Sequence, residues 1–137
     1  MNASSVLQRQ KPANLPEPAP ELSRRYRRLS LRDVFLSFAG YRPSGHLVHQ
    51  AIAALSTGDP LQVRAGSNRW ELLDHSGTVI GQLAGNFRAP DGMRCASAMV
   101  LAVVAWDKER SEPEYQDRLR RHEWEVVIPE LVFEPVS

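Results

Sequence analysis

The sequence predicts a mainly β fold of the α+β class: two or three short helices with a small six-stranded barrel or a strongly curved antiparallel sheet. Three observations carry that expectation. From Pro60 onward, apolar and polar residues alternate with the period of two that puts successive side chains on opposite faces of a strand. Clusters of Gly, Asn, Asp and Ser punctuate the alternation at short intervals, as turns do between paired strands. Ahead of Pro60 the apolar residues recur at helical spacing instead.

The elements follow in chain order, in three parts: a disordered tail over residues 1–21, a basic segment with helices over 22–57, and a β module over 58–137. Pro12, Pro16, Pro18 and Pro20 remove backbone donors from the tail, which has little apolar surface to bury. Leu31, Val34, Phe35 and Phe38 stand at i, i+3, i+4 and i+7, which predicts a helix over 30–39 that Ser30 caps and Gly40 ends. A second helix is expected from His46 to Leu55, with Leu47, Ala51, Ala54 and Leu55 as its stripe, joined by Val48 and Ile52. Gly58 and Pro60 stop it.

Leu61 and Val63 alternate with Gln62 and Arg64 as a first strand. Turns at Gly66-Ser67-Asn68 and Asp74-His75-Ser76-Gly77 then separate strands over 70–73 and 78–83, a meander. Gly81 inside the third strand marks a bulge or a close backbone approach. Residues 84–92 form a loop, and Met93 to Trp106 is a long apolar strand. The charged stretch after it admits a short helix over 113–120, with Ser111 and Glu114 at capping-box spacing, or a loop. His122 to Ile128 alternates cleanly, Pro129 breaks the ladder, and Glu130 to Glu134 is the last strand.

Composition narrows the function. With 137 residues, 42% hydrophobic and 24% charged, the chain suits one globular domain and not a disordered polymer. No apolar run approaches the roughly 18 residues of a membrane-spanning helix, and the N-terminus lacks an apolar export core. Cys95 is the only cysteine, which excludes an internal disulfide and any multi-cysteine zinc site, and its apolar setting predicts a small, buried, unreactive thiol. These features place the chain in the cytoplasm, with no membrane partner. The charge is unevenly spread: +5 over residues 1–50, zero over 51–100 and −4 over 101–137. A basic arm for an anionic partner, or contact between the two ends, would follow from that.

Catalytic patterns are missing. No phosphate loop and no nucleophile elbow occur, and Ser111 has no evident base. His46 and His49 share a helix face but have no further ligand motif, so they read as surface or packing histidines. Glu109, Glu112, Glu114 and Asp117 read as a solvated acidic face. The expectation is a protein that is not an enzyme and carries no cofactor and no metal.

The candidate nucleic-acid contacts are therefore arginines and aromatics. Arg24, Arg25, Arg27, Arg28 and Arg32 form a cluster with Tyr26 among them, the first four being the leading contacts. Arginine forks suit phosphate, and a basic arm can follow a nucleic-acid backbone. Arg64, Arg69, Arg88 and Arg94 lie on the strands and loops of the β module near Trp70 and Phe87, where bases can stack. Trp70 and Trp124 read first as core. Arg118, Arg120 and Arg121 follow the acidic group closely enough for local pairing.

The strings GDPLQV, WELLDHSGTVIGQLAGNFRAPDGM, SEPEYQDRL and WEVVIPELVFEP, spread over about 80 residues, resemble the C-terminal accessory module of bacterial RecQ-type DNA helicases. The GDPL start and the GTVIGQL strand are similar, more loosely, to HIRAN domains, small β-barrels that bind DNA ends. The helicase motor itself is absent from this chain. The resemblance implies a helicase-associated, DNA-binding accessory module without ATP hydrolysis, freestanding or part of a larger protein, and supplies no binding residues of its own. Single-stranded or end-containing DNA is the expected partner. The alternative is a protein–protein adaptor that docks on a helicase or nuclease through its acidic C-terminal third and an apolar edge from Leu131 to Val136.

Overall fold

A computed structural model describes residues 24–136, so the tail expected over 1–21 lies outside the described residues. Among the described residues, six strands form one antiparallel sheet: β1 (Tyr26–Arg28), β2 (Pro60–Arg64), β3 (Glu71–Leu73), β4 (Val79–Gln82), β5 (Met93–Asp107) and β6 (Glu123–Pro135), in the order β1-β6-β5-β2-β3-β4. The sheet curls into a half-barrel, and β4 packs back across onto β6. Two helices lie wholly within the described residues, α1 (Leu47–Ala53) and α2 (Pro113–Gln116), with 3-10 turns at Leu31–Asp33 and Ala39–Tyr41. The mainly β, curved six-stranded fold expected from the alternation is the fold found.

The long β5–β6 ladder is the backbone of the sheet. It pairs Met93 with Pro135 at one end and Asp107 with Glu123 at the other, and its register shifts twice, at Cys95/Ser97 and Val100/Ala102. Each shift adds twist and bends the pair, which lets so long a hairpin curl. Pro129 does not break the ladder, contrary to expectation: β6 runs through it unbroken. Pro129 faces Val100, where β5 shifts register, and its carbonyl accepts the Leu29 N–H at 3.1 Å. A proline is tolerated where a bulge leaves its missing N–H unneeded.

The count of six strands agrees with expectation, but its members differ. The two strands expected on either side of Pro129 are one, and the sixth strand is β1, inside the arginine cluster. Tyr26, Arg27 and Arg28 pair with Val132, Leu131 and Glu130. The edge of β6 near Leu131, where an adaptor partner was expected to add a strand, is thus already paired by the chain's own β1, and Leu131 and Phe133 are fully buried.

The helix expected over 30–39 is absent. A single 3-10 turn forms at Leu31–Asp33, closed by Ser30 N–H and Oγ donating to the Asp33 carboxylate at 2.8 and 3.1 Å. Val34 is then extended and bridges Leu83, while Phe35 N–H donates to Gln82 O and Ala84 N–H to Asp33 O. The segment 26–35 therefore leaves the β6 edge and reaches the β4 edge, stitching together the two margins of the half-barrel. Unpaired β4 backbone groups are satisfied by extended chain and not by a helix, whose backbone groups are consumed internally. The helical spacing of Leu31, Val34, Phe35 and Phe38 loses to that demand.

Helix α1 starts one residue after its cap, His46, whose Nδ1 accepts the Val48 N–H at 3.0 Å. It packs on β6 and β4. Val48 and Ile52 point into the core, and Leu47 is exposed at 58%, so the helix is turned about a third of a revolution from the expected stripe. Gly58 and Gly77 both take positive φ, 92° and 86°, as the turns there require. At Gly81 an added Cβ would lie 3.3 Å from Leu72 Cδ1, and the register slips beside it between Leu72 and Leu73, so both a bulge and a close approach occur. Ser111 does not cap α2. Glu112 is the cap residue, and the buried Ser111 hydroxyl donates instead to Asp107 O at 2.9 Å. One continuous core joins Val34, Phe38, Ile52, Leu72, Ile80, Val100, Trp124, Leu131 and Phe133.

Candidate functional site

The structure divides the eight candidate arginines by what faces them. Arg28, Arg64 and Arg94 each stand on a strand opposite a glutamate in register: Arg28 with Glu130, Arg64 with Glu71, Arg94 with Glu134. The N–O distances are 3.5, 2.8 and 2.7 Å. Cross-strand pairs of opposite charge stabilise a sheet modestly and leave little net field for a ligand. These three are therefore sheet-surface residues first, a fact hidden from the sequence because the pairing register was unknown.

The other five have no glutamate opposite them, and they do not all meet in one place. Arg24 donates to the Asp91 carbonyl, and Arg25 lies 5.5 Å from the Tyr26 ring centroid; both are exposed. Arg27 lies 5.6 Å from the Phe87 ring centroid, and Phe87 meets Trp70 edge-on at 5.7 Å. Arg88 Nη1 donates to Gly85 O and Phe87 O at 2.9 and 2.8 Å, which pins its guanidinium to its own loop. Two loops, 65–70 and 84–88, enclose a hollow of about 230 Å³ lined by Arg69, Trp70, Phe87 and Arg88. Strand β1 places Arg27 against the Phe87 ring, outside the hollow's own lining.

Arg69 also lines a second, adjoining hollow of about 360 Å³. The two share Arg69, Ala84 and Gly85. The second is walled by Phe35, Trp106 and Tyr115, with Arg32, Arg110 and Glu112 among its polar groups. Phe35 is its hub. Its ring meets Tyr41 and Tyr115 edge-on at 5.6 and 5.4 Å, and the Arg69 guanidinium lies 3.9 Å from its centroid. Burial pushes the Tyr41 hydroxyl above the usual tyrosine range, with the Arg118 guanidinium pulling the other way. Arg110 lies 4.4 Å from the Trp106 centroid and is bound to Asp107 at 3.0 Å. Sequence reasoning had Arg32 in its basic cluster but missed its grouping with Phe35, Tyr115 and Arg110, because they meet only once segment 26–35 crosses to the β4 edge. The Trp106–Arg110 spacing was the one local signal.

The remaining candidates resolve into structural roles. Trp124 is buried, and its Nε1 donates to Leu36 O at 2.8 Å. Trp70 is only half-buried. His46 is a helix cap, and His49 Nε2 lies 3.1 Å from the Arg42 carbonyl, to which it must donate. No cluster of three metal-ligating side chains occurs among the described residues. Cys95 is half-buried rather than fully so; burial raises its thiol pKa, and Sγ donates to Ser97 O at 3.4 Å. The acidic residues Glu109, Glu112, Glu114 and Asp117 are exposed, with Glu109 beside His122 at 2.7 Å. No helix among the described residues is long and apolar enough to cross a membrane. No protein-family model, curated protein or solved structure matches this chain.

Proposed function

We propose that this protein is a non-catalytic module that binds DNA, single-stranded or with a free end, in the service of a DNA-processing enzyme such as a helicase or nuclease. One observation carries the reading. Arg69 and Arg88 line the hollow that holds Trp70 and Phe87, Arg27 lies against the Phe87 ring, and among the described residues none of the three is paired with a carboxylate, whereas Arg28, Arg64 and Arg94 all are. Arginine donors with no carboxylate beside the half-buried Trp70 suit a strand: phosphates take the donors that Arg88's own loop does not hold and those of Arg27, and a base takes the Trp70 ring. The two hollows adjoin at Arg69, Ala84 and Gly85, and loops 65–70 and 84–88 line the smaller one.

The test is fluorescence anisotropy of a labelled ten-nucleotide strand at rising salt. Binding at low salt that falls steeply and linearly on a log–log plot supports the reading. A flat anisotropy at low salt refutes it.

A further inference from the structure

Arg69 is the one arginine among the described residues with a buried side-chain N–H that lacks an acceptor. Its guanidinium rests on the Phe35 face, its Nε–H is buried without an acceptor, and no carboxylate pairs with it among those residues. Buried polar groups are almost always hydrogen-bonded, and an exception asks for an explanation. The larger hollow that Arg69 lines, at about 360 Å³, is at the small end of the range for ligand pockets. Its other cations differ in availability. Arg110 is held by Asp107 and by the Ala105 carbonyl, while Arg32 is exposed and has no carboxylate partner among the described residues. Glu112, exposed on the same lining, opposes an anion and is the charge that Arg69 and Arg32 must outweigh.

We infer that this hollow is a seat for one phosphate group, received by the Arg69 guanidinium with Arg32 on the rim, and that Trp106 and Tyr115 take the flat ring carried by that phosphate. The phosphate can belong to a strand's backbone, to its 5′ end, or to a free mononucleotide. The inference rests on the DNA reading only for the choice among those sources. Stacking on Phe35 holds the guanidinium plane in place before any ligand arrives, so little of the arginine's freedom is lost on binding. A fork already oriented, with no internal carboxylate to displace, favours a planar bidentate acceptor such as phosphate over a point charge.

The experiment titrates the full chain, by tryptophan fluorescence and anisotropy, with thymidine 5′-monophosphate, thymidine, and a ten-nucleotide strand with or without a 5′-phosphate. The expected result is binding of the monophosphate, at least ten-fold weaker binding of thymidine, and a ten-fold or greater loss in Arg69→Gln. Arg32→Gln, an exposed change that cannot unfold the core, is expected to weaken the monophosphate several-fold at unchanged melting temperature, which keeps the test valid if Arg69→Gln is unstable. A strand that binds in a salt-dependent way while the monophosphate does not, or a monophosphate that binds wild type and Arg32→Gln alike, overturns the seat and leaves the DNA reading standing. A monophosphate that binds while neither strand does sustains the seat and overturns the DNA reading. Tighter binding of the 5′-phosphorylated strand assigns the seat to an end, and equal binding assigns it to the backbone.

Discussion

Replacing Gly40 by alanine reverses the usual sign of that substitution. Gly40 is buried in the turn Ala39–Tyr41, and its carbonyl accepts the Arg120 N–H at 2.7 Å. It is not among the residues with positive φ, so a side chain meets no backbone penalty. At such a site Gly→Ala stabilises by about 0.4–1 kcal/mol, through the unfolded chain. Here the added methyl would stand 2.7 Å from Trp124 Cε2 and 2.8 Å from Leu119 Cδ2. Comfortable carbon contacts are about 3.5–4.0 Å. Leu119 can rotate away. Trp124 cannot, being buried and tied by Nε1 to Leu36 O. Overpacking of this kind costs about 1–3 kcal/mol. The net effect expected in urea unfolding is a loss of about 1–2 kcal/mol, or a melting temperature lower by roughly 4 °C per kcal/mol. Trp124→Phe alone is expected to cost about 1–3 kcal/mol, from the lost hydrogen bond and the space left. The smaller ring also makes room for the methyl, so the double variant should be at least about 0.5 kcal/mol more stable than additivity predicts. A neutral or stabilising Gly40→Ala, or additive costs, would refute the packing argument.

Other expectations follow from the same geometry. Burial alone would raise the Asp74 pKa, but hydrogen bonds from the Ser76 hydroxyl and the Thr78 and Ser76 N–H groups outweigh it and hold the carboxyl below its ordinary range. A depressed folded pKa gives stability that is present above the unfolded value, near 3.9, and lost as pH falls through the folded one. Asp74→Asn should therefore cost about 1–2 kcal/mol at pH 7, and its stability should converge on wild type towards pH 2 in urea titrations. Gly77→Ala forces a side chain to φ 86° and should cost about 1–2 kcal/mol by the same assay. Arg94→Ala removes an exposed cross-strand pair with Glu134 and should change stability by less than about 1 kcal/mol.

The meander was legible because its signals are local. Alternation over 60–64, the Asp74–Gly77 turn and the apolar run from Met93 depend on neighbours a few residues away, and each element lies within two residues of its expectation. What the sequence hid depends on partners far along the chain. Tyr26–Arg28 looks like a solvated basic stretch until Val132 lies beside it. Val34 looks helical until Leu83 needs an extended partner. Pro129 looks like a breaker until Val100 bulges opposite it. The candidate site shows the same division. Arginine with tryptophan and phenylalanine was readable as a type of chemistry. Which arginines are balanced was not, because Glu71, Glu130 and Glu134 reach Arg64, Arg28 and Arg94 only through strand register.

That division is also what tests the central claim most directly. Two triple variants, Arg27/Arg69/Arg88→Gln and Arg28/Arg64/Arg94→Gln, remove the same formal charge from the same molecule. Their affinities for a ten-nucleotide strand are measured by anisotropy across a salt series, each beside its melting temperature. The account predicts that the first set weakens binding at least ten-fold and flattens the log–log salt slope by about 2, at roughly 0.7 for each phosphate no longer neutralised, while the second stays close to wild type. Equal losses in both sets would reduce binding to net charge alone, and an unchanged first set would contradict the proposed interface.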